Sequence, residues 1–197
     1  MRVLLLAGSP SPRSRSGLLL GQVEQLLQAH RIQTERLALR DFSPQALLWA
    51  DFTAPSVQRW QQAVANADAL VIASPVYKAS VAGTVKTLLD VLPEHALAHK
   101  VVLPLATAGS KSHLLALDYT LHPVLSALKA QEVLQGVFAS DSDVPYPAAD
   151  QSLQLDESLT LRLSQAVQQL VERLHTANRH IPAHVLAQQV KAAQLGI

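Results

Sequence analysis

Three stretches of this chain, Val3 to Ala7, Ala69 to Ala73 and Val101 to Leu105, are apolar at every position. A strand with one face in water alternates polar and apolar residues. Uniformly apolar strands are covered on both faces, as in a parallel sheet flanked by helices. Gln33 to Leu37 and Val133 to Phe138 bring the expected strands to five, and the polar Gln33-Thr34-Glu35-Arg36-Leu37 suits an edge. Between the runs, apolar residues recur at helical spacing: Leu18, Leu19, Val23, Leu26 and Leu27, then Val85, Leu88, Leu89 and Leu92, then Leu114, Leu117, Leu121, Leu125 and Leu128. Alternating strands and helices imply right-handed crossovers and a doubly wound sheet. The stretch after Asp41, with Pro44 and Pro55, and that after Ser140, with Pro145 and Pro147, read as loops or short turns. A last long helix fits Leu155 to Leu174. The expected organisation is one domain over residues 1–175 and a tail over residues 176–197 that packs on this chain or a neighbour.

Composition removes several function classes. Sixteen Lys and Arg stand against 15 Asp and Glu, so no basic field points to nucleic acid. With no cysteine, disulfides, thiolate nucleophiles and iron–sulfur ligation are excluded, and a redox role requires an organic cofactor. The run Val3 to Ala7 breaks at Gly8-Ser9-Pro10 and is too short for a signal-peptide core, and no apolar stretch is long enough for a membrane span. The expected location is the cytoplasm. There is no Ser/His/Asp order and no metal-ligand spacing, which disfavours acyl transfer and metal hydrolysis. His113 reads as a structural or solvent-facing histidine, and Asp90 and Asp118 as solvated or paired carboxylates.

Ligands of open parallel sheets sit beyond the carboxyl ends of the strands. Three loops fall there. Gly8-Ser9-Pro10-Ser11-Pro12-Arg13-Ser14-Arg15-Ser16 joins the first strand to a helix and offers hydroxyls, guanidinium groups and a helix N-terminus to an anion. It lacks both the P-loop and the G-x-G-x-x-G patterns. What remains is a monophosphate cradle of the kind that holds FMN, with Ser9, Ser14 and Ser16 as donors and either Arg13 or Arg15 as the cation. Pro75-Val76-Tyr77-Lys78 combines a rigid turn, an apolar face and one aromatic ring, which suits a flat heterocycle. Thr107 to His113, with Gly109, Ser110 and Ser112, supplies donors for the pyrimidine end of a flavin.

These segments, together with Gly83-Thr84-Val85-Lys86-Thr87-Leu88-Leu89-Asp90, Leu103-Pro104-Leu105-Ala106-Thr107, His113-Leu114-Leu115 and Pro123-Val124-Leu125-Ser126-Ala127-Leu128, resemble the NAD(P)H-dependent FMN reductase family over residues 1 to about 140. Within it the chain looks most like the reductases of two-component alkanesulfonate monooxygenase systems. The resemblance implies an α/β, flavodoxin-like three-layer sandwich with a five-stranded parallel sheet of order 2-1-3-4-5, often as a homotetramer. It implies hydride transfer from NADPH to FMN and delivery of reduced flavin to a partner monooxygenase. Carried over by position, Ser9, Ser14, Arg15 and Ser16 fall on the phosphate loop, Pro75 to Lys78 on the ring-contact turn, and Gly109 and Ser110 on the pyrimidine side. Many family members carry an arginine two residues after the first serine, where this chain has Ser11. Tyr119 matches a tyrosine that in the sulfonate subgroup is an insertion in the fourth helix, producing a π-bulge at the subunit interface near the flavin.

Hydride transfer needs no side-chain acid or base, so the expected site residues bind cofactor and none is catalytic. The rival readings are a quinone or azo reductase with tightly held FMN and a non-enzymatic FMN carrier; a net charge of +1 is unlike the acidic docking surface of a flavodoxin.

Overall fold

The computed structural model describes residues 1–144 and 155–177. In chain order the elements are β1 (Arg2–Ala7), α1 (Arg15–Ala29), β2 (Gln33–Ala38), α2 (Pro44–Leu48), α3 (Pro55–Asn66), β3 (Ala69–Tyr77), β4 (Ser80–Val81), α4 (Gly83–Asp90), β5 (Val101–Ala108), a π turn (Leu117–Leu121), α5 (His122–Ala127), β6 (Glu132–Val133), β7 (Val137–Ser140) and α6 (Glu157–Ala177). The path across the sheet is β2-β1-β3-β5-β6, with β7 also on β5 and β4 on β3. Every pairing is parallel except β3 with β4. This is the flavodoxin-like order.

Seven strands take the place of the five expected, for two physical reasons. First, β3 runs on past the sheet and folds back as a hairpin, pairing Tyr77 with Ser80 and Val76 with Val81. Second, the expected strand Val133 to Phe138 is broken. Leu134 N–H still reaches Val102 C=O at 2.9 Å. Two residues on, Pro104 faces the same side with no N–H to offer. The fifth position opens there: Val133 pairs with Val102 and Val137 with Leu105, so one extra residue is inserted as a bulge.

Side chains of the uniformly apolar strands divide by alternation between two cores. Leu4, Leu6, Leu70 and Ile72 pack with α3, α4 and α5, while Val3, Leu5, Ala69 and Val71 pack with α1 and α6. Two corrections concern the helical layers. The stretch after Asp41 is helical rather than loop, with α2 and α3 each started by a proline in the first turn, where the missing N–H has no partner to lose. Trp60 of α3 is fully buried, donates from Nε1 to Leu88 C=O at 2.8 Å and meets the Phe42 ring edge-on at 6.2 Å. Lys100 closes the far end of α3, donating to Ala65 and Ala67 carbonyls, and burial pushes its pKa down. The helical spacing from Leu114 to Leu128 is not one regular helix: the π turn and α5 divide it, after a 3-10 turn (Lys111–His113). β2 lies at an edge of the path as expected, and the last helix begins at Glu157. Pro145, Pro147 and residues 178–197 of the expected tail lie outside the described residues.

Candidate functional site

β1, β3 and β5 deliver their following loops to one end of the sheet, where they enclose a cleft of about 280 Å³. Its walls are Ser9, Ser11, Arg13, Ser14 and Arg15 from the first loop, Pro75, Val76 and Tyr77 from β3, Thr107, Ala108 and Gly109 at the end of β5, and Asp141. One end is polar and cationic. The other is bounded by an apolar turn and one aromatic ring.

The polar end is built on the start of α1. Ser14, extended at φ −141°, is the N-cap, its Oγ accepting from Gly17 N–H at 3.1 Å. The first turn of α1 carries no acidic residue, so the positive end of the helix dipole is uncompensated by a carboxylate of its own. Ser9 is nearly buried and its Oγ accepts from Ser11 N–H at 3.2 Å; Ser16 is buried with its hydroxyl 3.5 Å from that of Ser14. Gly8 is required at the root of the loop. Its N–H donates to Ala73 C=O at 2.8 Å, and an added Cβ would stand 2.2 Å from Val85 Cγ2. Thr84 then fixes the Gly8 carbonyl, donating from Oγ1 at 3.2 Å.

The two arginines are placed differently. Arg15 donates from Nε to Val144 C=O at 2.9 Å and pairs with Asp141, Nη1 to Oδ2, at 3.2 Å. Arg13 is exposed on the cleft wall and its guanidinium makes no ion pair or hydrogen bond among the described residues. Asp141 is the wall residue the sequence reading did not pick out. Its N–H donates to Ala108 C=O at 3.0 Å, which joins the loop after β7 to the end of β5. The signal lay in its position directly after the last strand residue, on the ligand side of the sheet. In the same loop Asp143 accepts from Ser140 N–H and Oγ at 2.8 Å each, and these bonds, the backbone one foremost, hold its carboxyl below the usual range.

The apolar wall is a strained hairpin. Lys78 and Ala79, at φ 51° and 64°, form its two-residue tip in the left-handed region that glycine or asparagine usually fills. Buried Ser74 fastens its base, accepting from Ala82 N–H at 3.0 Å and donating to Pro75 C=O at 2.8 Å. Val76 and Tyr77 line the cleft; Lys78 is exposed at the tip, outside the lining. Ser110 and Ser112 lie just beyond Gly109, exposed, with their hydroxyls 2.9 Å apart. His113 is partly buried on the same 3-10 turn, Asp118 is exposed, and Asp90 pairs with Lys86.

Tyr119 lies in the π turn, three-quarters exposed and outside the cleft lining. The physical cause of the turn is local. His122 N–H returns to Leu117 C=O, five residues back, and Pro123 behind it has no N–H and would press on the carbonyl four residues earlier in an α-helix. Leu114, Leu115 and Tyr77 are also more than half exposed. Among the described residues no cluster of acidic or histidine side chains could hold a metal, and no helix is long and apolar enough to cross a membrane.

Comparison with known proteins bears on the family and the fold. Residues 1–144 match the family of NADPH-dependent FMN reductases. The chain is 49% identical over 197 residues to an FMN reductase (NADPH) of Pseudomonas putida, with both chains covered completely. It is 46% identical over 183 residues to an FMN reductase (NADPH) of Escherichia coli, covering 92% of this chain and 94% of that one. The apo crystal structure of an NADH:FMN oxidoreductase superposes with a TM-score of 0.78 at 34% identity, over 88% of this chain and 89% of the other.

Proposed function

The chain belongs to the NADPH-dependent FMN reductases, oxidoreductases that use NADPH and FMN, and from that premise we propose that the cleft between the three loops binds FMN with its phosphate on the start of α1 and its ring against Pro75, Val76 and Tyr77. The carrying observation is the polarity of the cleft: hydroxyl and backbone donors, a helix N-terminus and two arginines at one end, an apolar turn at the other. The cradle formed by Ser9, Ser14 and Ser16 suits one phosphate group, and Arg13 or Arg15 supplies its counter-charge. Gly109, Ser110 and Ser112 provide donors at the pyrimidine side, and Lys78 stands at the hairpin tip above the ring.

When bound, the flavin supplies the hydride-accepting chemistry. The work of the chain is positioning: the α1 end would hold the phosphate, Pro75, Val76 and Tyr77 would lie against the ring, and Gly109, Ser110 and Ser112 would offer donors at its pyrimidine side. No side chain is assigned a catalytic role. The sequence resemblance at Tyr119 and the exposed π turn that carries it support a second step, in which FMN is a substrate that leaves reduced for a two-component flavin-dependent monooxygenase acting on alkanesulfonates. The same resemblance supports a homotetramer with Tyr119 against a neighbouring subunit, and the short first apolar run, broken at Gly8, supports a cytoplasmic location.

The test is NADPH oxidation by the purified protein with FMN, FAD and riboflavin in turn, then with a sulfonate monooxygenase added and sulfite measured. Colourless protein that requires added FMN and supports sulfite release is the expected result. Yellow protein that reduces quinones without added FMN overturns the substrate role in favour of a bound prosthetic group. Riboflavin used as well as FMN overturns the phosphate site.

A further inference from the structure

The hairpin that walls the apolar side of the cleft is held from outside the cleft by one hydroxyl. Ala82 N–H turns inward to Pro75 C=O at 3.0 Å, so Val81 N–H, one residue earlier, points away from β3. It meets Thr120 Oγ1 at 3.4 Å, and that hydroxyl donates in turn to Ala116 C=O at 2.5 Å. Thr120 is the neighbour of Tyr119 inside the π turn, where Leu117 C=O takes its bond from His122 N–H, five residues on. A threonine hydroxyl bonded four residues back favours local opening of a helix. One group therefore stabilises the irregular turn and terminates the free edge of β4.

We propose that Thr120 is a positioning residue for flavin binding: its hydroxyl couples the π turn to the β3–β4 hairpin and so fixes where Val76 and Tyr77 stand against the flavin ring. This rests on the proposal that the hairpin walls the FMN site. Thr120 is not among the residues that line the cleft, so its contribution is to affinity and not to the hydride step. With Lys78 and Ala79 both at positive φ, the tip carries backbone strain that the bonds at the base and edge of the hairpin hold in place.

The experiment compares Thr120→Val, which keeps the branched shape and removes the hydroxyl, with Thr120→Ser, which keeps the hydroxyl. Thr176→Val serves as control, because Thr176 Oγ1 makes the same four-back bond to Glu172 C=O on α6. Expected for Thr120→Val is a weakening of FMN binding by about three- to ten-fold in fluorescence titration, the size of one modest hydrogen bond, with kcat at saturating FMN unchanged. Thr120→Ser restores the affinity and Thr176→Val leaves it at the parent value. Amide exchange followed by NMR gives a readout independent of turnover: Val81 N–H exchanges faster in Thr120→Val, while Ala82 N–H, held by Pro75 and Ser74, does not. Parent-like FMN affinity in Thr120→Val, or loss in Thr120→Ser equal to that in Thr120→Val, overturns the coupling. If instead Tyr77→Ala also binds FMN like the parent, the hairpin is not the flavin wall and the underlying reading fails.

Discussion

Gly8 and Val85 are in contact so close that the space of a Cβ on Gly8 is already filled by Val85 Cγ2, 2.2 Å from where that Cβ would be. Through this contact the end of β1 and the α4 helix set the height at which the first loop leaves the sheet. Gly8→Ala is expected to destabilise the fold by about 1–3 kcal/mol, the usual range for overpacking, and to weaken FMN binding together with it. Val85→Ala in the same chain recovers part of both. Thermal unfolding and FMN titration of the single and double variants check this, and additive losses count against the contact.

Ser9→Ala removes a nearly buried hydroxyl from the cradle. Hydrogen bonds to charged groups contribute about 1.5–3 kcal/mol, so the expected loss of FMN affinity is about ten-fold or more. Riboflavin, which lacks the phosphate, binds the variant and the parent alike. Equal losses for both flavins would place the phosphate elsewhere.

The Arg15–Asp141 pair, 3.2 Å apart with both side chains partly exposed, adds little to stability. Its interest is electrostatic. A carboxylate on the cleft wall opposes a phosphate and competes for the guanidinium. Asp141→Asn is expected to tighten FMN about two- to five-fold, more at low salt than at high salt, with less than about 1 kcal/mol change in unfolding free energy. Isothermal titration at two ionic strengths measures the difference; weaker FMN binding in the variant contradicts it.

Asp143 gives the loop after β7 a pH dependence. Its bonds from Ser140, the backbone one foremost, lower the folded-state pKa beneath the ordinary aspartate value of 3.8. A depressed carboxyl stabilises the fold above its unfolded value and loses that contribution as pH falls through the folded value. The loss therefore falls below pH 3.8. Comparison of Asp143→Asn with the parent at about pH 6 and about pH 2 should show the difference between them shrinking at the acid end. A difference that grows on acidification refutes the assignment.

The central strands were legible because burial on both faces leaves uniformly apolar runs, and the three ligand loops because they follow those runs. The helix α3 is hidden by Pro55, which in sequence marks a loop and in the fold opens a first turn, although Val57, Trp60, Ala63 and Val64 carry the buried stripe. The break between β6 and β7 depends on Pro104 in a neighbouring strand, and Gly136, an isolated glycine within the expected strand Val133 to Phe138, is a local mark of it. Asp141 was hidden for a related reason: its place on the cleft comes from strand order, not from its own sequence context. At Tyr119 the resemblance predicted the π turn, which helical periodicity alone did not.

The bulge opposite Pro104 also bears on how this molecule stays apart from its own kind. A continuous outer strand presents a row of unpaired backbone groups to any extended segment that passes. Here two short pieces, in registers that differ by one residue, stand where that row would be. An incoming strand that matched β6 would be out of step with β7. The proline that interrupts one ladder thus makes the β6–β7 side of the sheet a poor template for aggregation, and leaves β2 as the continuous edge of the path.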